Sequence, residues 1–237
     1  MKAEALANAA SRLPMLGEKV ARLYAQIGRD VLAVRARRAL PASMREFDRG
    51  LKELLAAAGT PEVRDNYRLL ELLWSDYRPI AARSPSAEGA EKLFERNEEI
   101  VWVAAKGARL LRDAGRTRAL ELLLAAGEAR LQSQRIGRLH LFRGWGSRAR
   151  SIASELQKAN AEYRMAMDVL LAAPENGAET LAQIQLAENQ YNFLSQAARR
   201  LEGARDVRPE LEAVAKTCDN ILEVMEGLAK GYETVKA

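Results

Sequence analysis

A chain of 237 residues is long enough for one large domain or two of ordinary size, and it needs neither disulfides nor a metal to hold a core. Ala, Leu, Glu and Arg dominate, aromatics are only 5%, and β-branched residues are sparse, which argues for helix and against a sheet. The net charge of +5 reads first as solvated helix faces and only weakly as a pull on an anionic partner. The lone Cys218 excludes an intramolecular disulfide and reads as a small buried hydrophobe. No apolar run approaches the roughly 20 residues of a membrane span, and no leader is visible, because Met1-Lys2 runs straight into helix-forming sequence.

Taken in chain order, the first segment, from about Ala3 to Arg38, has apolar residues at Leu6, Ala9, Leu13, Leu16, Val20, Leu23 and Ile27, the spacing of a packed helix. Pro14 is expected to kink it or delay its start, and Pro41 to close it. Ser43 and Glu46 form a capping-box pattern for a second helix running to about Ala58. Thr60-Pro61-Glu62 opens a third, ending near Pro79, and Ser86 caps a fourth to about Asp113. A fifth helix starts near Thr117, with Gly144-Trp145-Gly146 able to bend or interrupt it before it resumes and ends at Pro174-Glu-Asn-Gly177. Asn176 and Glu179 cap the next, which runs to about Leu201. Pro209 opens the last, striped by Leu211, Val214, Cys218, Ile221, Met225, Leu228, Tyr232 and Val235, a stripe that reads as core.

The two halves repeat. Met15 to Tyr24 matches Leu131 to His140, an offset of 131 − 15 = 116, and Phe47 to Ala57 matches Tyr163 to Ala173 in the same register. The expected fold is therefore all-α, two tandem four-helix units arranged as antiparallel bundles, over residues 1–115 and 116–237.

The most informative segment is Ala126-Gly-Glu-Ala-Arg-Leu-Gln-Ser-Gln-Arg135. Gln132 takes the seam position that Leu16 holds in the first half, and a polar amide there needs a partner. Gly127 in mid-helix costs about 1 kcal/mol relative to Ala, which suggests that another backbone approaches closely. Arg130, Gln134 and Arg138 share one face, and their guanidiniums and amide can donate to an oxyanion.

This segment resembles the signature box of the type IV pilus methyl-accepting chemotaxis transducer N-terminal (PilJ-like) domain, which also occurs in the sensor domains of nitrate/nitrite histidine kinases. The resemblance spans about ten residues, with Leu131 where the family has Met. It implies a periplasmic four-helix sensory domain in which Arg130 contacts a small oxyanion at a dimer interface, with Gln132, Ser133 and Arg135 as weaker ligand-binding candidates. The first half carries Ser11, Pro14 and Gly17 where the box has Gly, Arg and Ser, so its copy is degenerate. The membrane span, linker and signalling modules that accompany such domains do not appear in the sequence.

His140, the only histidine, has no Cys or acid cluster to make it a metal ligand or general base, and it reads as packed or surface. No phosphate loop, paired cysteines or nucleophile elbow appears, so neither an enzyme nor a cofactor is expected. Arg135, Arg138, Arg143, Arg148 and Arg150 around Trp145 are the only hint of nucleic acid, and it rests on charge alone. The leading expectation is a non-enzymatic ligand-binding or sensory protein for a small anion such as nitrate or nitrite. The alternative is a helical scaffold for a protein partner or a homodimer that has lost ligand binding.

Overall fold

A computed structural model describes residues 3–115, 117–143, 145 and 149–234. The described residues form eight helices and no strand: α1 (Ala3–Gly28), α2 (Ala33–Ala56), α3 (Pro61–Ala81), α4 (Ala87–Gly115), α5 (Arg118–Phe142), α6 (Ala149–Leu171), α7 (Ala178–Arg200) and α8 (Arg208–Tyr232). The all-α expectation is met.

Side-chain caps start three of the helices. The Thr60 hydroxyl accepts from the Val63 amide at 3.3 Å with Pro61 at the first helical position, Thr117 accepts from Leu120 at 3.4 Å, and Ser86 from Gly89 at 3.1 Å. The first break falls elsewhere than expected. The chain leaves α1 at Gly28, turns through Asp30 and Leu32 in left-handed backbone (φ 54° and 48°), and α2 already runs when it reaches Pro41. Pro41 and Ser43 therefore lie inside α2, and Ser43 is buried rather than capping. Pro14 is likewise carried inside α1. Before α7 the capping residue is Gly177, not Asn176. The Asn176 amide instead donates to the Leu170 carbonyl at 2.7 Å and accepts from the Tyr232 hydroxyl at 2.8 Å, tying the end of α6 to α8. Val235, Gly144 and Gly146 lie outside the described residues.

The packing of the first four helices recurs in the second four. α1 lies between α2 and α4, with α3 along α4; α5 lies between α6 and α8, with α7 along α8. α2 begins at 33 and α6 at 149, the offset of the sequence repeat. Phe47 of α2 stacks on Trp74 of α3 at 3.9 Å between ring centres, and Tyr163 of α6 stacks on Tyr191 of α7 at 4.3 Å. The halves are not separate bodies, because α1 and α5 pack on each other along their lengths. Leu131, Leu139, Leu141 and Phe142 join the apolar cluster of the first half, and Ala7 joins that of the second. Burial nearly all round sets α1 and α5 apart from the six one-faced helices around them.

α1 and α5 approach closely at Gly127 and Ser11, which are repeat mates. A Cβ added at Gly127 would stand 2.5 Å from the Ser11 Cβ and 3.6 Å from its Cα. The mid-helix glycine is thus a steric requirement of the crossing. Gly127→Ala should destabilise the protein by about 1–3 kcal/mol in urea denaturation despite alanine's better helix propensity. The same alanine should cost less in a Ser11→Gly background. Equal costs in both backgrounds would show that the crossing does not set the requirement.

Candidate functional site

Three arginines with no exposed surface line the α1–α5 seam, and each is held by acceptors from other helices. Arg130 of α5 donates to the Asn8 amide oxygen at 2.8 Å, to the Ser11 hydroxyl at 2.7 Å and to Glu226 of α8 at 3.1 Å. Arg138, two turns further along, donates to Glu18 of α1 and, at 2.6 Å, to Glu98 of α4. Arg22 of α1, the repeat mate of Arg138, donates to Asp219 of α8, to the Ala215 carbonyl at 3.1 Å and to Gln26 at 3.1 Å. Asn8 in turn donates to Glu233 at 2.5 Å.

The remaining box residues are equally engaged. Gln132 is buried, and its amide nitrogen donates to two carboxylates, Glu128 at 2.6 Å and Glu162 of α6 at 2.7 Å. The Ser133 hydroxyl returns to its own helix, donating to the Arg130 carbonyl at 2.8 Å. Arg135 reaches Glu98, with Glu18 at 3.8 Å. Gln134 donates to the Cys218 carbonyl at 2.9 Å, while the Cys218 thiol donates to the Ser133 carbonyl at 3.1 Å. The structure thus brings Arg130 and Ser133 together in the seam, and sets Gln132 and Arg135 on the flank of α5 that faces α6 and α4. The face of donors read from the sequence exists, but protein oxygens occupy it.

Burial governs the electrostatics. It lowers the Arg130 guanidinium from its ordinary value, with Glu226 opposing and the like charge of Arg12 adding, yet a guanidinium stays protonated under any such shift. It holds Glu18 above the usual carboxylate range in spite of Arg138 and Arg135. It pushes the Cys218 thiol up to about 12, so this cysteine is not a nucleophile at neutral pH. Glu128 is raised by burial and then by the neighbouring Glu162, against the hydrogen bond from Gln132 and the charges of Arg109 and Arg135.

Two grooves flank the central pair. In the first, α2 and α8 stand on either side of α1, and Arg12 spans it, pairing with Glu46 and, at 3.2 Å, with Glu226. In the second, α4 and α6 stand on either side of α5 around a cavity of about 470 Å³. Its floor includes Gly127, Glu128 and Leu131 of the box, and its walls carry Arg109 of α4 and Met165 and Val169 of α6. Among the described residues no three His, Cys, Asp or Glu side chains gather as a metal site would require, and no helix is long and apolar enough to cross a membrane.

No family model, no curated protein and no solved structure matches the chain.

Sequence reasoning missed Glu18, Arg22, Glu226 and the Glu128–Glu162 pair. The last was within reach: displaced by 116, the ion pair Arg12–Glu46 becomes Glu128–Glu162, two acids where the first half has a cation and an acid. Of the basic residues near Trp145, two of those described are engaged within the protein. Arg135 and Arg138 are neutralised by glutamates, the Trp145 ring packs against Tyr24 and Phe142, and Arg148 lies outside the described residues, as does the side chain of Arg150.

His140, the mate of Tyr24, is buried, and desolvation with help from Arg143 pushes its pKa down to about 4. A depressed histidine binds fewer protons folded than unfolded between pH 4 and 6.5, so its contribution is complete above pH 6.5 and is lost as the pH falls. Between pH 7 and pH 5 the loss should be about 2 kcal/mol. His140→Gln should remove that part of the pH dependence, as read from urea midpoints at the two pH values. A wild type and variant with the same acid response would refute a neutral buried imidazole.

Proposed function

We propose that the chain is a non-catalytic helical binding module, in which the box arginines fasten the two halves together and the groove between α4 and α6 is the recognition surface. One observation carries this reading. The Arg130 guanidinium is wholly buried on Glu226, Asn8 and Ser11, whereas the other flank of the same box, at Gly127, Glu128 and Leu131, lines an open groove. An oxyanion arriving at Arg130 would have to displace a carboxylate already in place and enter a seam without exposed surface, at the cost of stripping water from a second anion. The groove needs no such exchange. Its volume falls within the range of small-ligand sites, and Met165 (67% exposed) and Val169 (43%) offer apolar contact at its rim.

A second reading follows the resemblance to the PilJ-like box: an extracytoplasmic sensor in which Arg130 holds nitrate, nitrite or a similar anion. The observation in its favour is the Arg130 Nε, a buried donor with no acceptor among the described residues. The two readings separate in a thermal-melt experiment at constant ionic strength. On the fastener reading, Arg130→Ala lowers stability by about 3–5 kcal/mol, the usual cost of stranding one partner of a buried pair, and nitrate, nitrite and small carboxylates shift the wild-type melt no more than chloride does. A nitrate- or nitrite-specific rise that Arg130→Lys abolishes would replace the fastener reading with the sensor.

A further inference from the structure

The two grooves differ in one respect that the repeat makes visible. In the first, Glu46 receives a guanidinium supplied by the chain itself, that of Arg12. At the matching positions of the second stand Glu162 and Glu128, so the carboxylate is kept and the cation is replaced by another carboxylate. Both acids are held by one neutral amide, the Gln132 nitrogen, at 2.7 and 2.6 Å. Two carboxylates brought this close and partly out of water repel, and each favours the presence of a proton or a cation between them.

The neighbouring charges do not fill that role. Arg109, on the α4 wall, acts on Glu128 through space and makes no hydrogen bond to it. Arg112 is paired with Asp113 at 2.6 Å, and Arg135 is spent on Glu98 and Glu18. Lys158 lies 3.7 Å from Glu162 on the same helix but is 74% exposed, a pair of little strength. Glu121 is met by Arg118 at 2.9 Å. Among the described residues the Gln132 Oε1 meets no donor, and its side chain is joined to both acids through the Nε2 alone. An ammonium or guanidinium brings several N–H donors, which suits two carboxylates together. The groove continues from the acids past Leu124 and Ala125 to the exposed Met165 and Val169, room for an alkyl stem.

We propose that the groove between α4 and α6 binds an organic cation, a guanidinium or alkylammonium group seated on Glu128 and Glu162 with its apolar stem against Met165 and Val169. This rests on the groove being the recognition surface. The cation takes the place that Arg12 holds in the first groove. Its source is either a free amine or an arginine or lysine side chain of a peptide, and the chemistry is the same for both.

The test uses the full chain and neutral isosteres. Butylguanidinium is compared with butylurea, and a short capped peptide containing arginine with the same peptide containing citrulline, each at matched ionic strength. At about 100 times its Kd, the cationic member of a pair should raise the melting temperature by roughly 5–10 °C and the neutral member should not. A shift from the free guanidinium identifies a small amine as sufficient; a shift from the peptide alone identifies a side chain as the source. Glu128→Gln keeps the hydrogen-bonding shape, removes the repulsion, and should fold with a melting temperature at or above that of the wild type while losing the cation response. Glu162→Gln should lose it as well. If neither cation outperforms its isostere, or the response persists in both glutamine variants, the proposal is overturned. Ala125→Trp, which fills the groove, separates the two levels of the argument. A ligand of other chemistry whose binding this variant abolishes would leave the recognition surface standing while the cation assignment falls. A cation response that survives it would remove both.

Discussion

Where α1 and α5 run side by side, three guanidiniums are sealed from water, and the rest of the architecture is arranged to supply their acceptors. Arg130 joins α5 to α1 and α8, Arg138 joins α5 to α1 and α4, and Arg22 joins α1 to α8. Arg130 and Arg138 therefore clamp three helices each and Arg22 two, and every clamp crosses between the first and second halves of the chain. A buried ion pair adds little net stability over apolar side chains of equal volume, since removing two charges from water costs nearly what their attraction returns. Its effect is on alternatives. Sliding α5 by a turn along α1 would carry Arg130 away from Asn8 and Ser11 and Arg138 away from Glu18, at a cost of several kcal/mol for each buried cation so stranded. The apolar seam alone, rich in Ala and Leu on both helices, would tolerate such a slip far better.

This constraint explains why one short segment carries so many unusual residues. A helix buried on nearly every side has no solvated face on which to place polar groups, so each polar residue of the box has a partner inside the protein. Gly127 sits where backbone meets backbone, Arg130 and Gln134 point into the seam, and Glu128, Gln132 and Arg135 face α4 and α6. The partners of these polar residues are spread over α1, α4, α6 and α8.

The sequence was most readable where chemistry is local. Thr60-Pro61, Ser86 and Thr117 announce helix starts because a hydroxyl acts on an amide three residues on, and the starts fall where they were expected. The break after Gly28 was missed because the left-handed positions that follow are held by Asp30 and Leu32 and not by glycine, while Pro41, the expected breaker, is absorbed into a helix already formed. Asn176 carried the local pattern of a cap, but Leu170 and Tyr232 claim its amide, and Tyr232 is a partner from another helix. The box was legible as a unit, down to the glycine that lets a backbone approach. Its partners were not, for Glu226 lies 96 residues from Arg130 and Glu18 lies 120 from Arg138, and no spacing rule reaches across such distances. The repeat offset does reach across them. It maps Ser11 onto Gly127 and the pair Arg12–Glu46 onto Glu128–Glu162, and so points to the crossing and the groove.

The asymmetry between the grooves follows from the same offset. Two halves packed about a shared seam would, if identical, present two identical grooves, both bridged by an internal ion pair or neither. Glu128 in place of the arginine breaks that equivalence at a single position of α5. The first groove keeps its cation, and Arg12 further ties α1 to α2 and α8, so that side is braced by charge as well as by packing. The second keeps the carboxylate of α6 and has a second carboxylate, Glu128, at the position of the cation. Repulsion between Glu128 and Glu162 is a cost that folding alone does not recover, and it is borne at the edge of a seam whose three buried clamps can sustain it. Whatever neutralises the pair removes that cost, and this is the physical ground for the groove as a recognition surface.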